Sequence, residues 1–233
     1  MDSLRLRTIL DVVSGIALIA ASVVIVWTYL RPSPPPGSAL PEIKGRVVSL
    51  EEAPLKGSPS APVGVIIYSD FECPFCGAFA RDFLPEVSRK YLDAGRVFLA
   101  FKHLPLPLHR NARLAARAAD CAVRQNKFWL MHDYLFASAE PLTRERVLEG
   151  AVHLDFGDDW RSCVAATGDS DRRVDQDLNE AMSLGVRSTP TFLIGFPEGQ
   201  SLRVETVARG LVDLTEMLDG LLASVPSSAQ GSQ

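Results

Sequence analysis

The chain has 233 residues, 47% of them hydrophobic and 22% charged, which is enough apolar mass for a packed core and excludes a disordered or fibrous polypeptide. A net charge of -4 and a pI near 5.6 leave no electrostatic reason to expect nucleic acid as a partner. Four cysteines are too few for a disulfide-dense scaffold but enough for one reactive pair and one structural pair.

Residues 1–8 form a short N-terminus expected to be cytoplasmic, and residues 9–30 are almost continuously apolar. About 20 such residues span a bilayer core. The apolar run passes into Trp27, Tyr29 and Arg31 without a small-residue cleavage site, so an uncleaved single-pass anchor in the inner (cytoplasmic) membrane is expected. Arg5 and Arg7 orient its start to the cytoplasm and the rest of the chain outside, although Arg31, Lys44 and Arg46 weaken that charge bias. Residues 31–41 carry Pro32, Pro34, Pro35, Pro36 and Pro41, a semi-rigid spacer. One domain follows over residues 42–225, and residues 226–233 read as a flexible polar tail.

Within the domain, Arg46 to Leu50 is a short strand candidate, and Pro54, Gly57 and Pro59 mark a turn region. Val63 to Tyr68 has the unbroken apolar pattern of a strand covered on both faces. Pro74 suits the first turn of a helix, and Cys76 to Ala94 continues as an amphipathic helix that Pro85 is expected to kink. Val97 to Lys102 reads as a second buried strand. A long helical stretch, Asn111 to Ala137, is followed by helices over Thr143 to Leu154, Trp160 to Ala166 and Asp169 to Leu184. Gly185 to Pro190 ends this run, Thr191 to Gly195 and Leu202 to Ala208 form a hairpin, and Leu211 to Leu222 closes the domain as a helix. The order βαβ, a helical insertion over about 108–184, then ββα with the helix before it, predicts an α/β fold of thioredoxin type.

The chemistry concentrates at Cys73 and Cys76. A helix N-terminus offers unpaired N–H groups and the positive end of the macrodipole, which stabilise a thiolate at Cys73. Cys76 lies one turn along, within disulfide reach, so the pair is able to cycle between dithiol and disulfide without a dissociable cofactor. A zinc site would need two more ligands from Cys121, Cys163, His103, His109, His132 or His153, and none of these forms a second closely spaced pair, so no metal is expected. His109 and His132 read as surface or packing residues, and Asp158, Asp159, Asp169 and Asp171 as helix N-terminal signals. Phe71, Phe75 and Phe79 read either as core or as an apolar collar for unfolded substrates.

Phe71-Glu72-Cys73-Pro74-Phe75-Cys76 after an apolar strand, with Val186-Arg187-Ser188-Thr189-Pro190-Thr191-Phe192 before another, resembles the DsbA-like thiol:disulfide oxidoreductases of the thioredoxin superfamily. The resemblance implies that Pro190 is cis and faces the redox pair, so that the backbone of Thr189 pairs with a substrate chain like an added strand. It extends to the helical insertion, with Cys121 and Cys163 in familiar places. In an oxidising compartment these two are expected to pair, the other reading being two buried free thiols. Two departures bear on mechanism. Phe75 stands where strong oxidants carry a His that stabilises the thiolate, so Cys73 should be less acidic than in those proteins. Ile67 stands where related enzymes often keep a buried proton-shuttling carboxylate, leaving Glu72 or Asp70 to supply that role or merely to favour the helix dipole.

The expected function is disulfide introduction into exported, thiol-containing proteins, with reoxidation by a quinone-linked membrane partner implied by the resemblance. A monomer is expected, because only a linker and one strand precede the catalytic core. Two rivals remain: the same fold run as a reductase or isomerase fed by a membrane electron donor, as in cytochrome c maturation, and a tethered metal-binding module using the same thiolates.

Overall fold

The computed structural model describes Ser22 and residues 43–137, 141–166, 168–209 and 211–225. The expected N-terminus 1–8, the apolar segment 9–30 apart from Ser22, the linker 31–41 and the tail 226–233 lie outside the described residues. Among the described residues no helix is long and apolar enough to cross a membrane. The chain divides into two units, Met1–Leu40 and Pro41–Gln233, and the second carries the fold described below.

Six strands form one sheet: β1 (Val47–Ser49), β2 (Leu55–Gly57), β3 (Val63–Ser69), β4 (Val97–His103), β5 (Thr191–Glu198) and β6 (Ser201–Ala208). Their order is β1-β6-β5-β3-β4-β2. β3 and β4 run parallel, with Ile67 opposite Phe101 and Ser69 opposite His103, and every residue of both is buried. Strands covered on both faces need no polar alternation, which is why both read as unbroken apolar runs. β2 corrects the turn expected around Pro54 to Pro59: Leu55 to Gly57 pairs antiparallel with β4. Gly57 permits this with a φ of 92°, and a Cβ there would lie 2.8 Å from the carbonyl oxygen of Val97.

The helix after β3 runs from Pro74 to Leu92, as α1 (Pro74–Ala78), a π-helical turn (Phe79–Phe83), α2 (Leu84–Val87) and a second π-helical turn (Ser88–Leu92). Pro85 has no N–H for the regular ladder, and the wide turn before it, closed by the Leu84 N–H donating to the Phe79 carbonyl, absorbs the mismatch in place of a simple kink. The insertion comprises α3 (Ala112–Val123), α4 (Phe128–Phe136), α5 (Arg144–His153), α6 (Asp158–Ala165) and α7 (Asp169–Ser183), with α8 (Leu211–Ser224) closing the domain. The long helical stretch expected over Asn111 to Ala137 consists of two helices, α3 and α4, parted at Asn126, which adopts a φ of 55°. Asparagine tolerates that left-handed conformation and ends helices for the same reason.

Cys121 and Cys163 form a disulfide joining α3 to α6, as the resemblance implied. Beside it the buried Trp160 Nε1 donates to the Ala118 carbonyl at 2.9 Å. Side-chain alternation sorts the central strands. Val65, Ile67, Leu99 and Phe101 join the core that contains Cys73, Cys76 and Phe79. Tyr68 and Lys102 instead meet α7, where the Tyr68 hydroxyl and the Lys102 ammonium both donate to Glu180.

Candidate active site

β3 ends at Ser69, and after the four residues Asp70 to Cys73 the chain enters α1 with Pro74 in the first turn. Cys73 is the N-cap, in extended conformation with φ -74° and ψ 120°. Its N–H donates to the Asp70 carbonyl at 3.1 Å, and its own carbonyl accepts the Gly77 N–H at 3.0 Å. These bonds tie the outer cysteine to both the loop and the helix. Cys73 and Cys76 are free thiols, both buried in the folded chain. The Cys73 thiol donates to the carbonyl oxygen of Thr189 at 3.3 Å. The Thr189–Pro190 peptide is cis, and Pro190 is buried. The four residues Cys73, Cys76, Thr189 and Pro190, spread over more than a hundred positions of sequence, therefore form one site.

The two thiols are polarised in opposite directions. Hydrogen bonding by the Cys76 thiol is the main cause that brings the Cys73 thiol down to about 5, aided by the Thr189 side chain and by the N–H groups of Cys76 and Phe75, against the opposing effect of burial. Burial is the main cause that pushes Cys76 well above the usual thiol range, reinforced by its neighbour Cys73. An outer thiolate beside a protonated inner thiol is the arrangement disulfide exchange requires. Phe75 adds no charge and is 72% exposed, so the thiolate is held by hydrogen bonds and not by a neighbouring imidazolium.

Ser69 was missed in the sequence. Its side chain and the backbone of Asp70 hydrogen-bond to Cys76 and oppose the upward pull of burial. Ser69 lies two residues beyond Ile67, on the same face of β3, so strand alternation already pointed it at the redox helix. Ile67 itself is buried core, and Ser69 is the polar group β3 offers to the inner cysteine.

The two carboxylates beside the motif both accept hydrogen bonds from backbone N–H groups. Glu72, expected as a proton-transfer or thiolate-tuning group, accepts the Asn111 N–H at 2.5 Å. The buried Asp70 side chain accepts the N–H groups of Glu72 at 2.8 Å and Leu106 at 2.7 Å. It also pairs with His109 Nδ1 at 2.7 Å. Together they staple the segment 106–111 to the redox motif, and His109, read as a surface or packing residue, belongs to that staple. His132 is a packing residue, buried against Phe71, Phe101, Trp129 and Phe136. Phe71 and Phe79 are core, which leaves Phe75 as the exposed member of the expected collar. Asp158 and Asp159 occupy the first turn of α6, whereas Asp171 pairs with Arg113 and Arg117 of α3. Among the described residues no group of three or more His, Cys, Asp or Glu is placed to hold a metal ion.

Similarity to known proteins follows this geometry. The chain is 37% identical over 142 residues to Na(+)/H(+) antiporter NhaA 3 of Salinispora tropica, covering 60% of this chain and 21% of that protein. It thus spans only about a fifth of the length of that relative. Disulfide bond formation protein D of Bacillus subtilis is 28% identical over 171 residues, covering 67% of this chain and 71% of that protein. The crystal structure of Wolbachia pipientis alpha-DsbA1 superposes with a TM-score of 0.63 at 22% identity, covering 76% of this chain and 94% of the other. Oxidised BdbD of Bacillus subtilis gives a TM-score of 0.61 at 21% identity, covering 77% and 98%. Residues 49–209 match the model of the family described as Thioredoxin, and the chain belongs to that thioredoxin family, with the fold of the DsbA-type structures.

Proposed function

We propose that this protein is a membrane-anchored protein disulfide oxidoreductase that donates its Cys73–Cys76 disulfide to thiols of exported proteins. The observation that carries the reading is the placement of Cys73 at the N-cap of α1, one turn from Cys76 and 3.3 Å from the Thr189 carbonyl before the cis Pro190, with the Cys73 thiol drawn below its ordinary range chiefly by hydrogen bonding from Cys76. A thiolate stabilised in the dithiol form makes the corresponding disulfide easier to reduce, and therefore a better donor. A substrate thiolate attacks Cys73 Sγ, the Cys73–Cys76 bond breaks, and Cys76 leaves with the sulfur electron pair and takes up a proton. A second substrate thiolate then attacks the substrate sulfur of the mixed disulfide, and Cys73 leaves as its stabilised thiolate. The substrate loses two electrons and the redox pair gains them. A quinone-linked membrane partner restores the disulfide.

The extracytoplasmic location is supported by the apolar segment 9–30 and by the structural disulfide Cys121–Cys163, which suits an oxidising compartment. Disulfide bond formation protein D, the Bacillus relative, is named for the same chemistry. The test is equilibration of the redox pair against defined glutathione ratios, with Cys121 and Cys163 followed separately by mass spectrometry. A potential of about -120 to -180 mV supports a disulfide donor, and about -250 mV or below reverses the direction to reductase. A reporter fused after Gln233 tests the topology, and cytoplasmic activity of that reporter would sink the oxidase reading.

A further inference from the structure

A groove of about 500 Å³ runs from Cys73 between the redox motif, the segment 108–111 and the end of α4. Neither Thr189 nor Pro190 lines it, so it is separate from the edge where a target strand would pair. Hydrogen bonds fasten the described parts of its wall. Asn111 donates its side-chain N–H to the Leu142 carbonyl at 2.7 Å while its backbone N–H is held by Glu72. Arg81 Nη1 donates to the Phe136 carbonyl at 3.0 Å across the mouth. A surface ordered before binding loses little entropy when it is occupied.

The floor is apolar, formed by the buried side chains of Phe71, Leu135, Phe136 and Leu142. Among the described residues the rim carries the guanidinium groups of Arg110 and Arg81 beside the carboxylate of Glu72, while the chain as a whole carries a net charge of -4. Arg110 is exposed and makes no ion pair among the described residues. The Arg81 guanidinium lies over Gly77, where a Cβ would stand 2.8 Å from Nη1. Glu72, the carboxylate lining this groove, is engaged by the Asn111 N–H.

We propose that this groove is a specificity subsite for the target polypeptide, taking an apolar side chain close to the target cysteine with an adjacent acidic residue facing Arg110 and Arg81. The apolar floor supplies burial and the rim supplies selection by charge. The inference rests on the exchange chemistry proposed above.

The test uses two single-cysteine peptides of equal length, one carrying Leu-Glu and the other Leu-Lys beside the cysteine. Mixed-disulfide formation with the oxidised protein is followed by rapid quench at low salt. The Leu-Glu peptide is expected to react about fivefold faster, with the gap closing at high salt, as exposed charge pairs do. In Arg110→Glu the ratio of the two rates should invert, and replacing Leu by Ser in the peptide should slow the reaction severalfold. Equal rates in the unaltered protein, or a ratio that Arg110→Glu leaves unchanged, overturn the subsite. The same peptides with serine in place of cysteine, titrated by fluorescence anisotropy, separate the two readings. Charge-dependent binding without exchange refutes the donor chemistry alone, and exchange without charge preference refutes the subsite alone. Absence of both refutes both.

Discussion

Lowering the pH should remove a stabilisation that only the dithiol form possesses. Cys73 is an acid whose folded value, about 5, lies below its ordinary 9.0. Its contribution is therefore complete above the unfolded value and is lost as the pH falls through about 5. At pH 7 the linkage is about 2–3 kcal/mol before screening, and the water that reaches this site reduces it to about 1–2 kcal/mol. Cys76, pushed upward by burial, stays protonated throughout this range. Asp120, raised by burial to about 7, and Asp177, raised by burial to about 6, also titrate here. Both do so whether the redox pair is open or closed, so they cancel in a difference. The chain entropy removed by closing Cys73–Cys76 in the unfolded state is also independent of pH. The assay is urea unfolding of reduced and oxidised protein from pH 4.5 to 7.5. The stability of the reduced form relative to the oxidised form should rise by about 1–2 kcal/mol across that range. A difference that does not move with pH would refute the stabilised thiolate and, with it, the basis for reading the site as a disulfide donor.

Removing the second disulfide as Cys121→Ala/Cys163→Ala opens a loop of sequence separation 42. The loss should be about 4 kcal/mol by urea unfolding, and a loss below about 1 kcal/mol would mean that packing around Trp160 already fixes α3 against α6. Asp70→Ala strands the N–H groups of Glu72 and Leu106 and releases His109. It should cost about 3 kcal/mol or more, with faster hydrogen exchange at those two amides; unchanged exchange would contradict the staple. Gly195→Ala places a Cβ 1.9 Å from the Arg203 carbonyl oxygen, beside a register shift in the β5–β6 ladder. A loss of at least about 2 kcal/mol is expected, and a Tm equal to that of the unaltered protein would show that the strand pair yields there.

What sequence alone made legible is what local pattern encodes. β3 and β4 were readable as continuous apolar runs because burial on both faces demands them, and α5 through its Thr143 cap, whose side chain accepts the Arg146 N–H. The redox pair was readable because two-residue spacing at a helix start is itself the condition for disulfide reach. The cis Thr189–Pro190 bond and the Cys121–Cys163 pairing were expected only through the family resemblance, since no property of those residues taken singly selects them. β2 was hidden because three residues ending in glycine carry no strand period, and their pairing with β4 joins segments more than forty positions apart. The wide helical turns around Pro85 and the break at Asn126 were smoothed over because helical periodicity averages across single residues.

The site divides in the same way. Sequence singled out the two candidate sulfurs and showed that a helix begins beneath Cys73. Tertiary structure decided what surrounds those sulfurs. The Thr189 carbonyl comes from 116 positions away to meet Cys73, and His109 comes from 39 positions away to close on Asp70. It likewise gave Glu72 a backbone partner in the Asn111 N–H and made Ser69 the polar neighbour of Cys76. Hydrogen bonds of this kind depend on which chain segments the sheet and the insertion bring within about 3 Å. Periodicity records the face a residue presents, but the partner it meets there exists only once the distant strand or loop has packed against it.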